Sequence, residues 1–126
     1  MSDLEKIGKR LSAATARSAD EALQLARAAI EGVGRVNLAR AEVVAENGES
    51  LLVEIKPTSP VGFLADNTTF TVTARPDGTG TIVLVEVEDY SVYQEKLFFF
   101  IPFGPKQVPG SKVYGRCLDA IQAAIA

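Results

Sequence analysis

The chain of 126 residues contains no histidine, no tryptophan, one cysteine and one methionine. Histidine is the side chain whose ordinary pKa puts its charge change near neutral pH, and it is the commonest metal ligand. Without it, and with Cys117 as the sole thiol, a His/Cys zinc site or a Ser-His or Cys-His nucleophile pair cannot be assembled within one chain. No cofactor and no metal are expected. A single cysteine also excludes an intramolecular disulfide, which fits a reducing compartment, and a cytoplasmic location is expected. Long apolar runs are missing as well. The longest, Leu97 to Phe103, has seven residues and includes Pro102, whereas a helix needs about 20 to cross a bilayer. No membrane span is expected. The opening Met1-Ser2-Asp3-Leu4-Glu5-Lys6 carries acids early, so neither a signal peptide nor an anchor is expected there.

Basic charge is not in excess either. Thirteen Lys and Arg stand against 16 Asp and Glu, a net charge of −3, which argues against a nucleic-acid partner because a phosphate-backbone binder needs a basic face. What is present is ordinary globular composition: 47% hydrophobic and 23% charged residues, enough to fold and too apolar for a disordered chain. A chain of this length buries roughly two-thirds of its unfolded surface without staples. One domain over 1–126 is expected, with 1–17 either part of it or a loosely attached arm.

The pattern begins helical. Ser2-Asp3-Leu4-Glu5 and Ser18-Ala19-Asp20-Glu21 both have the form of a capping box. After the second, Ala22, Leu23, Ala26, Ile30 and Val33 recur at helical spacing until Gly32 and Gly34 end the stripe. Residues 9–17 fit two states, a continuation of the first helix or an edge strand, because Gly8, Ser12 and Thr15 weaken the helical case.

From residue 35 the period becomes two. Val36 to Glu46 reads as a strand, and Asn47-Gly48 supplies the positive-φ residues of a tight hairpin. Leu51, Val53 and Ile55 follow on one face until Pro57 and Pro60 stop the strand. Over 68–75, Phe70, Val72 and Ala74 alternate with Thr69, Thr71 and Thr73; Pro76-Asp77-Gly78 then turns the chain into 80–88. Residues 92–101 read as the last strand. After a loop with prolines at 102, 105 and 109, Ser111 is the expected N-cap of a closing helix with Val113, Tyr114, Cys117, Leu118, Ile121 and Ile125 on its apolar face. The fold class is therefore α+β: a mostly antiparallel sheet of about five strands, with N-terminal and C-terminal helices packed on one face.

Few residues point to chemistry. Gly104 to Lys112 resembles a phosphate loop in composition, but it has five residues between its glycines, Ser before Lys, and prolines that remove backbone donors. Lys106, Lys112 and Arg116 can at most form an anion rim near the start of the last helix. Cys117, on the apolar stripe, reads as a buried, inert thiol. Glu42, Glu46, Glu49 and Glu54, and the group Glu86, Glu88 and Asp89, read as solubilising strand-face charges. The most informative segment is Leu97-Phe98-Phe99-Phe100-Ile101-Pro102-Phe103. On a strand both of its faces would be apolar, so something must cover the second: its own loop, a partner chain, or a bound apolar molecule.

The order of helix, antiparallel meander and C-terminal helix resembles the helix-grip, or START-like, superfamily, and it also looks like various small bacterial domains. The features that carry the resemblance are Ser18 to Leu23 opening a helix, the turn Arg75-Pro76-Asp77-Gly78-Thr79-Gly80-Thr81 between two long strands, and the helix from Tyr114 to Ala126. That resemblance implies an apolar ligand held between sheet and C-terminal helix. The leading expectation is thus a non-enzymatic binding module for a small apolar ligand or partner segment, with Phe98, Phe99, Phe100, Ile101, Phe103, Tyr114 and Leu118 as its site. The alternatives are a protein that homodimerises through its aromatic strand, and an enzyme working without histidine through acids such as Glu54, Glu86 and Glu88.

Overall fold

The computed structural model describes residues 7–36, 39–57, 68–89, 96–97, 101–102 and 111–126. Residues 9–17 resolve in favour of the edge strand: β1, Leu11–Thr15, pairs antiparallel with residues 81–85. Ile7, shortly before it, is helical and buried, and the opening helix expected from Ser2 to Glu5 lies outside the described residues.

Helix α1, Ala19–Val33, begins where its cap predicts. Ser18 Oγ accepts from the Glu21 amide at 3.2 Å, satisfying one free donor of the first turn. Only half of the capping box forms, because the Glu21 carboxylate turns to Arg17 at 2.6 Å. Gly34 ends the helix at φ 70, a left-handed value that a side chain would resist. Gly32 stays helical.

The strand expected over 36–46 is two strands. β2, Arg35–Val36, folds back on β3, Ala39–Glu46, with Val36 opposite Ala39. The next hairpin, into β4, Ser50–Pro57, forms where Asn47-Gly48 predicts, for a different reason. Gly48 is not among the positive-φ glycines; instead Asn47 Oδ1 accepts from the amides of Glu49 and Ser50, each at 2.8 Å. β5, Thr68–Asp77, and β6, Gly80–Asp89, begin where expected and run slightly past the expected ends, β5 through Pro76 and Asp77, with the turn at Gly78, whose φ is 62. The main sheet is antiparallel, six strands in the order β1-β6-β5-β4-β3-β2.

Residues 92–101 are not one strand. β7, Lys96–Leu97, pairs antiparallel with β8, Ile101–Pro102, in a separate two-stranded ladder, so the chain reverses between Leu97 and Ile101. Phe98, Phe99, Phe100 and Phe103 lie outside the described residues.

Helix α2, Ser111–Ile125, closes the chain. Ser111 is its first, buried residue rather than the flanking cap. Both helices pack on the same face of the sheet. Ala22, Leu23, Ala26 and Ile30 of α1 and Val113, Tyr114, Cys117, Ile121 and Ile125 of α2 meet Leu51, Val53, Phe70, Val72, Val83 and Val85 in one core. Thr69, Thr71 and Thr73 alternate to the outer face.

β1 brings little apolar mass to this core and is held by hydrogen bonds. Thr15 Oγ1 donates to the Ile125 carbonyl at 2.7 Å and accepts from the Arg17 amide at 3.3 Å. Thr81 Oγ1 donates to the Arg17 carbonyl at 2.7 Å. The approach is close: a Cβ on Gly80 would stand 2.5 Å from the Thr15 carbonyl oxygen. Gly80→Ala should therefore destabilise the protein by about 1–3 kcal/mol. Gly48→Ala meets nothing within 4 Å and should change stability by less than about 0.5 kcal/mol. Urea denaturation of both variants checks the contrast.

Candidate functional site

The sequence-predicted residues fall into two groups. Tyr114 and Leu118 are part of the packed interior. The Tyr114 ring is fully buried and stands edge-on to Phe70, with centroids 5.3 Å apart at 68°, a favourable aromatic geometry. Its hydroxyl donates to the Lys9 carbonyl, just before β1. Leu118 is 8% exposed. Of the predicted site residues in the aromatic segment only Ile101 is described, and only as part of the β8 ladder.

Burial sets the ionisation of this interior. It raises the Tyr114 phenol to about 12, with Glu86 adding to the shift and Arg10 opposing it. It also raises the Cys117 thiol to about 12. A thiol held this far above neutral pH carries no thiolate to act as a nucleophile.

The two cations of the expected rim that are described, Lys112 and Arg116, share an exposed face of α2 one turn apart, while Lys106 lies outside the described residues. Register sets Glu42 of β3 directly opposite Glu54 of β4, and three of the acids are engaged by cations. Glu42 pairs with Lys56 at 3.3 Å, Glu86 with Arg10 at 3.8 Å, and Glu46 with Arg27. Among the described residues no three or more metal-ligating side chains are gathered as a metal would need.

Two features had no clear signal in the sequence. Thr68, the first residue of β5, is 1% exposed, and its hydroxyl has no hydrogen-bond partner among the described residues. An orphaned buried hydroxyl costs about 1–3 kcal/mol, so it calls for an explanation. Its surroundings supply one. Asp89, where the chain leaves β6 for the aromatic segment, sits opposite Thr69. The chain returns from that segment into Ser111, one turn ahead of the Tyr114 that touches Phe70. Both stems of the segment carrying Phe98, Phe99 and Phe100 are thus rooted at the Thr68–Phe70 end of the sheet. The second feature is a groove of about 510 Å³ between α1 and β3, lined by Arg27, Glu31, Arg40, Ala41, Glu42 and Val43. The alternating charges of Ala39-Arg40-Ala41-Glu42 mark a strand with a wet face, but nothing in them says that the strand lies near an edge.

No family model and no curated protein matches the chain. Among solved structures it is similar to TTHA0849 from Thermus thermophilus, with 12% identity, a TM-score of 0.43, and coverage of 92% of this chain and 94% of that one. It is also similar to Ara h 8.0201, with 6% identity, a TM-score of 0.42, and coverage of 91% and 97%. The layout itself is helix-grip-like, an antiparallel sheet with the C-terminal helix laid against one face. No helix among the described residues is long and apolar enough to cross a membrane.

The raised ionisations have a consequence at high pH. An unfolded thiol loses its proton near 9.0 and the folded one near about 12; the phenol does so near 10.0 and about 12. Their contribution to stability is therefore complete below the unfolded values and is lost as pH rises through the folded ones. Unfolding free energy should fall with pH from about 9 upward. In Cys117→Ala the fall should begin about one pH unit later and be shallower, because only Tyr114 still contributes. Denaturation curves at stepped alkaline pH measure both slopes.

Proposed function

We propose that the protein is a cytoplasmic, non-catalytic binding module, START-like in kind. It holds a small apolar ligand or an apolar partner segment between its aromatic hairpin segment and the Thr68 end of the sheet. The observation that carries this reading is the orphaned Thr68 hydroxyl, buried where both stems of that segment are rooted. Apolar sites take most of their affinity from aromatic and aliphatic lining, and a few placed polar groups orient the ligand. Phe98, Phe99, Phe100, Ile101 and Phe103 are the lining, and Thr68 is the polar group. Tyr114 backs the site through Phe70. The ligand class that follows is an apolar body with one hydrogen-bonding head.

The test is native mass spectrometry of gently purified protein, repeated after denaturation. An adduct that leaves on denaturation supports the reading; a bare monomer that also fails to take up fatty acids or aromatic alcohols counts against it. A doubled mass without adduct would favour self-association through the aromatic segment. Thr68→Val separates binding from folding. Removing an orphaned hydroxyl should leave the ligand-free protein as stable or more stable by about 1 kcal/mol, while weakening retention of a polar-headed ligand.

A further inference from the structure

Helix α2 starts at the end of the sheet where Thr68 lies. Its direction follows from its ties to β1. Tyr114 reaches the Lys9 carbonyl ahead of that strand, and the Ile125 carbonyl accepts from Thr15 at its close. β1 sets Leu11 opposite Val85 and Thr15 opposite Thr81, and β5 answers these with Val72 and Pro76. From Tyr114 onward α2 therefore runs toward the Pro76 end of β5, and backward from Tyr114 it runs toward Thr68. It touches β1 on one side of the sheet and β3 on the other, so it crosses over β5 between them. Ser111 stands one turn, about 4.5 Å, ahead of Tyr114. Thr68 stands two residues, about 7 Å, ahead of Phe70, the ring that Tyr114 touches. Thr68, Phe70 and Val72 alternate to the core side of the sheet, and Ser111 is buried on that side too.

This end of the helix is electropositive. The amides of Ser111, Lys112 and Val113 have no carbonyl within the helix to bond, and no described backbone group outside it accepts from them. The first turn holds no acid. It holds Lys112 instead, exposed and without an ion pair among the described residues, although a cation at the positive end of a helix dipole is unfavourable. In sequence Gly110 precedes Ser111, and glycine brings no side-chain oxygen for a cap. Thr68 is the independent sign of a ligand. Its hydroxyl has no partner among the described residues, and its inner-face neighbours, Ile55 across the ladder and Phe70 along the strand, are apolar and buried. A lone donor in an apolar wall, beside a helix N-terminus and a lysine, suits an anion and repels a cation.

We propose that this corner seats the head of the ligand, and that the head is a carboxylate. One of its oxygens accepts from Thr68 Oγ1, the other from the first-turn amides of α2, and Lys112 balances its charge from the rim. Two acceptor oxygens match two sets of donors, and a single negative charge matches a single lysine. The assignment rests on the binding reading above and narrows its hydrogen-bonding head to an anionic one.

The experiment is a calorimetric titration of the purified protein with decanoate, decanol and acetate. Decanoate should bind roughly tenfold or more tightly than either of the others. Thr68→Val should weaken decanoate by roughly tenfold and decanol by less, because a hydrogen bond to a charged group is the stronger kind. Lys112 is exposed, so Lys112→Gln should fold normally, weaken decanoate by roughly two- to fivefold and leave decanol unchanged. Equal affinities for decanoate and decanol would overturn the anionic head and leave the binding module standing. Acetate binding as tightly as decanoate would overturn the apolar-bodied carboxylate. Unchanged decanoate affinity in both variants would overturn this location. Failure of decanoate and decanol alike to bind would remove the binding reading and the head assignment together.

Discussion

The structure depends on a clasp between its two ends. β1 is a short edge strand of small residues, and α2 holds it at both of its own ends. Tyr114 donates to the Lys9 carbonyl across 105 positions of sequence, and the Ile125 carbonyl accepts from Thr15 across 110. The lengths agree. Eleven helical steps from Tyr114 to Ile125 rise about 16 Å, and six strand steps from Lys9 to Thr15 span about 20 Å. The reach of the tyrosine side chain makes up the difference. A phenylalanine at 114 would keep the packing on Phe70 and lose the tie.

With α2 drawn down in this way, the space between sheet and helices fills with side chains. Tyr114 and Phe70 occupy its middle, Cys117 is sealed beside them, and the ionisable groups inside are held neutral by burial. Polar atoms in this interior are used for structure. At one margin of the fold Thr68 keeps a buried hydroxyl without a hydrogen-bond partner among the described residues.

Much of this was legible in the residues, and the failures share a cause. Helix α1 followed from Ser18 and a periodic stripe, and β4, β5 and β6 followed from alternation bounded by Pro57 and by Gly78. Residues 9–17 were ambiguous because Gly8, Ser12 and Thr15 weaken the helical case, and pairing with β6 decides their state. The reversal between Val36 and Ala39 has no glycine or proline to announce it, so β2 and β3 read as one strand. A run of like apolar residues has no period either, and it concealed the reversal between Leu97 and Ile101. At the candidate site the limits were tertiary. An apolar stripe on a helix looks the same whether it lines a pocket or fills a core, which is why Tyr114 and Leu118 stood among the expected ligand contacts. A buried hydroxyl without a partner among the described residues, such as that of Thr68, is visible only once the neighbouring strands are placed.

The clasp is tested most directly by native-state hydrogen exchange on the wild-type protein and on Tyr114→Phe. If β1 and α2 are held as one unit, the amides from Leu11 to Thr15 and those of the α2 core open with the same free energy. The substitution should then lower both together. Rapid exchange in β1 while α2 remains protected, with no response of β1 to Tyr114→Phe, would contradict it.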